Sequence, residues 1–463
     1  MRKTRTMVVL AAVGATMLAL AGCSSSSTAT STSDAAATYS NGSGPVQWWT
    51  WDPAQAASYQ KCVGPFEAAN PGVKVQISQY AFNDYWMKLT ASMVAGNAPD
   101  AFQDHTGYYP AMAAQGQLLP LNGLITRDKF DMSKFSIGTE AWTYKDGKTY
   151  YGLPMDWGTQ AFYYNEDMIK KAGLTDKDMQ NMTWNAKDGG TFGKIVAKLT
   201  VDKNGVRGDQ PGFNKNEVAT YGINSLGSLS GVTGQQTWAS FASTTGWTLG
   251  DKTNWPTSLD YNKPGFIDTV QYLRNLGTEG FAPKENQSTL GLPTQLGSGS
   301  VAMVLDGAFL SPTYFGLKGV SVGTGASVVG ANGKRADFSN SNGNSIWKGS
   351  PRIENTWKWV SYMESTECQS IAGADRTFFP SIPAAMDVTA AASLKAGVDL
   401  SQFTSLAKTG QLFQAPVMDG GQAMGNTIAP FLQSYFTFAA DESVFAQADK
   451  ASAQVITKAK AGS

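Results

Sequence analysis

The side chains that could perform catalysis are few in this sequence. His105 is the only histidine, so a Ser-His-Asp hydrolase would have to use it, yet the chain has no Gly-x-Ser-x-Gly motif. A zinc site needs several His or Cys ligands, and the phosphate-binding motif Gly-x-x-x-x-Gly-Lys-Ser/Thr is absent as well. A pair of carboxylates, as in glycoside hydrolysis, is the catalytic arrangement that stays open. The pattern favours binding over catalysis, without a metal or a cofactor.

Cys23 ends a short stretch, Leu-Ala-Gly-Cys at 20–23, that predicts where the protein resides. Basic residues precede an uncharged apolar run over 7–21, which is the order of a secretory signal. Residues 20–23 resemble the processing site of bacterial lipoproteins, which implies that 1–23 is the signal peptide and that Cys23 carries the lipid. A plain secretion signal that contains a cysteine is the alternative. We expect a lipid-anchored protein of the cell membrane that faces the extracytoplasmic side, with the lipid as its only anchor.

The two cysteines that follow Cys23 are Cys62 and Cys368, both on predicted helices. Thiols outside the cytoplasm can be oxidised to a disulfide. The sequence does not show that two cysteines lie within bonding distance. We treat the pair as a candidate disulfide that would act as a structural staple and not as a chemical site.

Composition divides the rest of the chain into a linker and a globular part. Residues 24–44 are nearly all Ser, Thr, Ala and Gly, which predicts a flexible tether. About 420 residues follow, more than one ordinary core holds and enough for two domains. Without the basic residues at positions 2, 3 and 5, the 36 Lys and Arg become 33 against 36 Asp and Glu, a net charge of −3. No basic patch stands out, so nucleic acid is not an expected partner.

Short strands alternate with helices in the globular part. Val46–Trp49 reads as a buried strand, and Tyr59, Val63 and Phe66 then fall on one helical face. Ala101–His105 leads to a further strand end. The alternation predicts an α/β fold with parallel sheets, in which ligands bind beyond the carboxyl ends of the strands.

The sequence Asp-Lys-Asn-Gly at 202–205 weakly resembles a calcium-binding loop. Its glycine stands three positions after Asp202 instead of five. Asn-Gly is foremost a hairpin signal. We favour a tight turn over a metal site at this position.

Several strings occur in an order that resembles one protein family. They are Asn-Pro-Gly-Val-Lys-Val at 70–75, Gly-Asn-Ala-Pro-Asp at 96–100, Gly-Leu-Pro at 152–154, Tyr-Tyr-Asn-Glu-Asp-Met at 163–168, Gly-Ser-Gly-Ser-Val-Ala-Met at 297–303, and Glu-Ser-Thr-Glu at 364–367. Behind a lipoprotein signal, this order resembles the extracellular solute-binding proteins of the sugar-binding group. These are receptors of ABC importers and are related to maltose-binding protein. The resemblance covers about 45–460 of the chain.

The resemblance implies a two-lobe α/β fold of the periplasmic-binding-protein type with a hinged cleft between the lobes. Mapped by the strings, the N-terminal lobe comprises 45–153 and 293–347, and the C-terminal lobe comprises 154–292 and 348–463. The lobes would close around a carbohydrate ligand. The closed monomer would then dock on the transmembrane subunits of an ABC permease.

The same resemblance implies ligand contacts at the ends of the first sheet strands. Trp49, Trp51 and Asp52 follow the first strand, where the family places a sugar contact. Asp104 and His105 end a neighbouring strand, at another contact position. A buried, hydrogen-bonded imidazole is an equal alternative for His105.

Further contacts are implied along the rest of the chain. They are Asp156 and Trp157 on a crossover, Asp306 and Phe309 after the Ala-Met strand, Trp238 and Trp247 beside a Gly-rich stretch, and Arg376 before Thr-Phe-Phe-Pro. Phe309 stands where the family more often has Trp. One of the two tryptophans, Trp238 or Trp247, would stack on ligand while the other belongs to the core, and a surface ion pair is the default for Arg376.

These residue types suit a mono- or oligosaccharide. A carboxylate accepts hydrogen bonds from hydroxyls, each contributing about 1.5–3 kcal/mol when charge-assisted. A sugar face stacked on indole contributes roughly 1.5–2 kcal/mol. The alternatives are an exported carbohydrate-active enzyme with a carboxylate pair, and the same receptor fold for a peptide, polyamine or oxyanion.

Overall fold

Short strands and amphipathic helices alternate through residues 38–461, which are the part of the chain that this computed structural model describes. The strands are β1 Val46–Thr50, β2 Val75–Gln79, β3 Ala101–His105, β4 Leu153–Gly158, β5 Gln160–Asn165, β6 Val201–Asp202, β7 Val218–Thr220, β8 Met303–Gly307, β9 Val322–Gly325, β10 Asp337–Ile346, β11 Phe379–Pro380 and β12 Leu412–Gln414. The helices are α1 Pro53–Ala69, α2 Phe82–Val94, α3 Tyr109–Ala114, α4 Asn122–Arg127, α5 Glu166–Lys171, α6 Asp176–Gln180, α7 Gly190–Leu199, α8 Ala239–Ser243, α9 Pro264–Thr278, α10 Leu292–Ser298, α11 Ser311–Phe315, α12 Ile353–Met363, α13 Thr366–Gly373, α14 Pro383–Lys395, α15 Ser401–Thr409, α16 Gly421–Phe436 and α17 Ser443–Ala461. Short 3-10 segments lie at Met132–Lys134, Ser228–Thr233 and Ala308–Leu310.

The larger sheet combines parallel and antiparallel pairs. β1 pairs in parallel with β2 and β3, as the alternation of strands and helices predicts. β10 runs antiparallel between β3 and β4. The order is β11-β4-β10-β3-β1-β2, with β12 against β10. β10 follows β3 by more than 200 residues of sequence, and no local pattern reveals a pairing over that separation.

Helix α1 shows how the sequence sets one of these elements. Asp52 caps its N-terminus by accepting hydrogen bonds from the first backbone N–H groups, and Pro53 occupies the first turn, where it costs no hydrogen bond. Phe66 packs edge-on against Trp359 at 5.1 Å between ring centroids. A disulfide joins Cys62 to Cys368 of α13, with 5.5 Å between the Cα atoms. Both cysteines are buried, so the bond staples two helices in the core beneath the larger sheet.

The smaller sheet has the order β8-β5-β9, and all its pairs are antiparallel. Phe162 of β5 packs in a second hydrophobic core with Trp184 and Phe192 of the α7 region. The chain passes from the larger sheet to the smaller one at Thr159, between β4 and β5. Thr159 Oγ1 donates to Phe338 O at 2.8 Å, which fixes this crossing against β10.

The strand pairing differs from the lobe boundaries that the strings predict. Of the strands in 293–347, β8 and β9 pair with β5, and β10 belongs to the larger sheet. Helices α12 and α13, which fall in the range 348–463, pack against α1 and not against the smaller sheet. The physical reason is that hydrogen bonding between distant strands decides the lobe of each segment, and sequence order does not.

The Asp202 loop is a tight turn. Gly205 N–H donates to Asp202 O at 3.0 Å, which closes the turn. Asp202 Oδ1 accepts from the N–H groups of Asn204 and Val206, and Oδ2 accepts from Asn214 N–H at 2.9 Å. Backbone donors therefore occupy both carboxylate oxygens. Across the described residues, no group of three or more His, Cys, Asp or Glu is placed to hold a metal ion.

None of the helices within 38–461 combines the length and the apolar character that crossing a membrane requires. The predicted signal at 1–23, with Cys23, and most of the tether at 24–44 lie outside the described residues.

Candidate functional site

A cavity of about 370 Å³ lies where the chain crosses from the larger sheet to the smaller one. This volume is within the range of small-molecule sites, about 300–1,000 Å³. Its polar side chains are Asp52, Gln55, His105, Asp156, Gln235, Asn340, Asn342 and Thr377. Its aromatic side chains are Trp51, Phe82, Trp157, Phe309 and Phe378. We call this cavity the cleft cavity.

Asp156 of β4 is held by two amides that flank it. Gln55 Nε2 of α1 donates to Asp156 Oδ2 at 2.6 Å, and Asn342 Nδ2 of β10 donates to Oδ1 at 2.7 Å. Burial raises the pKa of Asp156 to about 7, although both hydrogen bonds favour its charged form, and the nearby charge of Asp52 adds to the rise. Three elements thus fix one carboxyl group in the cavity wall.

A buried network beneath the wall orients Gln55. Gln103 Nε2 donates to Gln55 Oε1 at 2.7 Å, and Thr50 Oγ1 donates to Gln103 Oε1. Because each amide both donates and accepts, this network leaves Gln55 one orientation, with its NH₂ group toward Asp156. The network holds the wall in a fixed shape.

Asp52 has a different environment. Its Oδ1 accepts from Ala54 N–H at 2.7 Å and Gln55 N–H at 3.0 Å at the start of α1. No hydrogen bond from another described residue reaches its Oδ2. Asp52 therefore offers the cavity an acceptor, because the helix uses only one of its oxygens.

His105 contacts the cavity as a neutral imidazole. Burial lowers its pKa to about 4, and Gly107 N–H donates to Nδ1 at 2.9 Å, so the proton is on Nε2. Nε2 lies 3.0 Å from the side-chain amide of Asn340. The Nε2–H group donates a hydrogen bond to Asn340 when the amide is oriented with Oδ1 toward the ring.

Several cavity residues have buried polar atoms without a partner in the protein. These atoms are Trp157 Nε1, Gln235 Nε2, Asn342 Oδ1 and Thr377 Oγ1. A buried donor or acceptor left unpaired costs about 1–3 kcal/mol. Donors and acceptors are both present, and a hydroxyl group can fill either role.

Aromatic rings reach the cavity from both sides. Phe82 at the start of α2 is 44% exposed, and Phe309, which follows β8, is 42% exposed. Trp51 packs edge-on against Phe82 at 5.6 Å. Trp157 stacks on Phe379 at 4.7 Å. Gly307 makes room for the Phe309 ring, because a Cβ at position 307 would lie 2.3 Å from Phe309 Cζ.

The structure brings together half of the residues that the resemblance implied. Trp51, Asp52, His105, Asp156, Trp157 and Phe309 line the cleft cavity. The other implied residues, Trp49, Asp104, Trp238, Trp247, Asp306 and Arg376, lie elsewhere.

Two implied residues of the larger sheet belong to its packing. Trp49 lies against Tyr80 at 4.8 Å and beneath the ammonium of Lys88. Asp104 is fully buried, with Oδ1 accepting from His105 N–H and Oδ2 paired with the Ser345 hydroxyl. Asp104 is adjacent to His105 in β3, so alternation along the strand turns its side chain to the opposite face.

Three further residues are corrected in the same way. Trp238 and Trp247 pack around Phe266 in the second core, at 5.0 and 5.2 Å between ring centroids. Asp306 is 5% exposed and accepts from Tyr314 OH at 2.5 Å and from Gln236 Nε2 at 2.6 Å. It supports the segment that carries Phe309 instead of lining the cavity. Burial raises the pKa of Asp306.

Arg376 reaches a different cavity from the one expected. It lines a neighbouring space together with Ser311 and Ser393. The described residues provide its guanidinium with no ion pair, so the default expectation of a surface ion pair is wrong for this residue.

Sequence reasoning missed the asparagines of β10. Asn340, Asn342 and Asn344 alternate with other residues, which places them on one face of the strand. Asn344 accepts from Trp48 Nε1 at 2.7 Å, while the other two reach the cavity. Asparagine at every second position of a buried strand is the signal that could have identified them. Gln55 and Gln235 had no comparable pattern.

Comparisons with known proteins agree on the kind of protein. The profile of the family described as "Bacterial extracellular solute-binding protein" matches residues 61–400. The lactose-binding protein of Rhizobium radiobacter is 28% identical over 148 residues, which are 31% of this chain and 34% of that protein. The chain thus spans about a third of the length of the first curated relatives that it matches.

Solved structures match over almost the whole chain. UspC of M. tuberculosis is 22% identical with a TM-score of 0.72, covering 89% of this chain and 100% of that one. The ABC substrate-binding protein Lmo0181 of Listeria monocytogenes, solved in complex with cycloalternan, is 20% identical with a TM-score of 0.71, covering 91% of this chain and 100% of that one. At this identity the likeness establishes the two-lobe fold.

Proposed function

Because the chain belongs to the family of bacterial extracellular solute-binding proteins, we propose that it is the substrate-binding receptor of an ABC importer and that its ligand is a mono- or oligosaccharide. The ligand would occupy the cleft cavity. Receptors of this fold close two hinged lobes around the ligand.

The unpaired polar atoms of the cavity wall carry this proposal. Donors such as Trp157 Nε1 and acceptors such as Asn342 Oδ1 are buried and have no protein partner. Half-exposed rings of Phe82 and Phe309 stand beside them. A sugar matches both features, since its hydroxyls donate and accept while its C–H faces cover aromatic rings.

The charges of the wall argue against other solutes. An oxyanion needs cationic side chains or helix N-termini. Among the described residues that line the cavity none is Lys or Arg, and the Asp52 carboxylate already caps the N-terminus of α1. A polyamine needs several free carboxylate oxygens. Asp156 already accepts two amide hydrogen bonds, and Asp52 has only Oδ2 free of protein donors. The wall therefore favours a neutral polyol.

A carboxylate-pair enzyme is the competing function, and Asp52 and Asp156 are the carboxylates available in the cavity. Asp52 caps α1, and Asp156 is fixed between two amides. These hydrogen bonds support a binding wall over a catalytic pair. Family membership in binding proteins supports the same conclusion.

The location and partners of the receptor are part of the proposal. The lipid on Cys23 would hold the protein at the extracytoplasmic face of the cell membrane, with 24–44 as a tether. The larger sheet with β10, α12 and α13 would form one lobe, and the smaller sheet with α7, α9, α16 and α17 would form the other. The closed monomer would deliver the sugar to the permease subunits.

Isothermal titration against a panel of neutral mono- to tetrasaccharides tests the ligand class. We expect at least one sugar to bind with a dissociation constant near or below micromolar, or about 8 kcal/mol. Phosphate, spermidine and a tripeptide serve as the charged and peptide controls. Binding of one of these controls without any sugar would overturn the ligand class.

Chromatography of the bound sugar after long incubation tests the absence of catalysis. A receptor returns its ligand unchanged, whereas a glycosidase yields shorter products.

Metabolic labelling with a fatty acid tests the anchor. The wild-type protein and Ser24→Ala should incorporate the label, and Cys23→Ala should not. Label incorporated into the Cys23→Ala protein would contradict lipidation at this residue.

A further inference from the structure

A second cavity of about 320 Å³ adjoins the cleft cavity. Leu310 and Thr377 line the cleft cavity, while their chain neighbours Ser311 and Arg376 line the second one. The backbone at 310–311 and 376–377 therefore separates the two cavities. We call this separation the partition and the second space the side cavity.

Arg376 provides an uncompensated positive charge in the side cavity. Its exposed guanidinium has no ion pair or hydrogen bond with another described residue. The adjacent carboxylate does not neutralise it, because Asp375 is paired with Lys61 at 2.5 Å and accepts from Ser58 Oγ at 2.8 Å. Arg376 also has a left-handed backbone conformation, φ 64°, which side-chain-bearing residues adopt infrequently.

One residue that lines the same space has a buried hydroxyl without a partner. Ser393 is 1% exposed, lines the side cavity, and its Oγ has no hydrogen-bond partner. Phe315 is half-buried in the lining, and Val398 and Leu400 add apolar surface. The side cavity thus combines a cation, a polar group and an apolar face, which suits a ring that bears an anionic group.

The 310–311 half of the partition is held by side chains from the smaller sheet and the segment after it. Tyr163 OH lies 2.8 Å from Ser311 Oγ, and Tyr314 stacks on Tyr163 at 3.9 Å. Tyr314 OH donates to Asp306 Oδ2 at 2.5 Å. These contacts fix the position of the 310–311 half of the partition.

We propose that the side cavity is a second carbohydrate subsite that binds a uronic acid unit, and that the physiological ligand is an acidic oligosaccharide lying across the partition. The inference rests on the proposed function, because it assigns neutral units to the cleft cavity. Arg376 binds the carboxylate through its planar fork. The cleft cavity, with Asp52 and Asp156 in its wall, repels that charged unit and so sets the direction in which the chain binds.

Matched pairs of ligands test this proposal on the mature protein. The probes are neutral di- to tetrasaccharides and the same sugars oxidised at C6 of the terminal unit to a uronate, with free glucuronate as a third probe. We expect at least one uronate to bind about tenfold more tightly than its neutral counterpart, which corresponds to one charge-assisted contact. The preference should shrink as salt concentration rises, because Arg376 is exposed.

Variants identify the residues that carry the preference. Arg376→Gln should equalise the affinities of each pair, and Arg376→Lys should restore part of the difference because it keeps the charge without the fork. Ser393→Ala should weaken uronate binding several-fold. Arg207→Gln, a partly exposed arginine at a different cavity, is the control that should keep the wild-type preference.

The outcomes separate this inference from the proposed function. Equal binding of each pair to the wild type, or a uronate preference that survives Arg376→Gln, overturns the side-cavity subsite while sugar binding stands. Arg376-dependent binding of free glucuronate as tight as that of the oligosaccharide overturns the ligand that spans the partition. If neither neutral nor acidic sugars bind, the proposed function itself is wrong.

Discussion

Gln55 donates a hydrogen bond from Nε2 to Asp156 Oδ2 at 2.6 Å, although 101 residues separate them in the chain. The bond joins helix α1 to strand β4 at the point where the chain leaves the larger sheet. Because Gln103 orients Gln55 from below, the position of Asp156 depends on β3 as well. Buried helix and strand residues therefore position Asp156 in the cavity wall, and a flexible loop does not.

Trp51 should contribute to ligand affinity, whereas Trp49 should not. Trp51→Ala removes an aromatic surface that lines the cavity, and we expect a loss of roughly 1.5–2 kcal/mol, or about ten- to thirtyfold in dissociation constant. Trp49→Ala is the matched control, since Trp49 packs on Tyr80 outside the cavity. Titration calorimetry measures both. Equal losses in the two variants would contradict the placement of ligand beside Trp51.

The buried carboxyl group of Asp104 should make stability depend on pH. Burial raises its pKa to about 8, whereas the unfolded value is about 3.9. The folded state holds an extra proton between these values, so this stabilisation is complete below pH 4 and is lost as pH rises through 8. The contribution of this group to the slope is at most about 1.4 kcal/mol per pH unit.

Asp104→Asn tests this dependence because the amide imitates the protonated carboxyl group. Urea unfolding from pH 5 to 8.5 should give a flatter decline for the variant than for the wild type. Asp84→Asn, an exposed position on α2, should leave the decline unchanged. A wild-type slope retained in Asp104→Asn would show that other groups cause it.

His105 should remain neutral throughout the physiological pH range. Its pKa is lowered to about 4 by burial, so the imidazole gains no proton between pH 5.5 and 8. Since the natural sequence has a single histidine, NMR of the imidazole in a protein without a His tag gives one unambiguous set of resonances. We expect chemical shifts of the Nε2–H tautomer that do not titrate. A midpoint near 6.5 would mean that the ring is solvated.

The disulfide should contribute substantially to stability. It joins residues 306 positions apart, and removal of a native disulfide costs about 2–5 kcal/mol. The double variant Cys62→Ala with Cys368→Ala should lose that amount in urea unfolding, while sugar affinity is retained because the bond lies beneath the larger sheet. Native wild-type protein should resist alkylation, whereas denaturation with a reductant exposes both thiols. Unchanged stability in the double variant would argue that the bond is not formed in solution.

Local patterns predicted most of the elements near the site. The apolar face of Tyr59, Val63 and Phe66 identified α1, and the strand at 101–105 was located to the residue. Trp51 and Asp52, which immediately follow β1, line the cavity as a position at a strand end predicts, and their contact with ligand stays a prediction.

Sequence patterns did not distinguish a side chain that lines the cavity from one that packs in a core. Trp238 and Asp306 have the residue types of a sugar site, yet one packs on Phe266 and the other binds Tyr314. Their local sequence is the same in either role. Exposed aromatic and buried aromatic positions differ only in what packs against them, and that depends on helices far away in the chain.

The sequence by itself determined the α/β class, the family resemblance and the residue types that recognise hydroxyl groups, because helix and strand periodicity and short motifs are properties of neighbouring residues. Only the tertiary structure decided which of those residues share a cavity. Asn340 meets His105 across 235 positions because an antiparallel strand is inserted between β3 and β4. The free energy that selects this insertion comes from hydrogen bonds and burial over the whole sheet, which no local stretch of the chain contains.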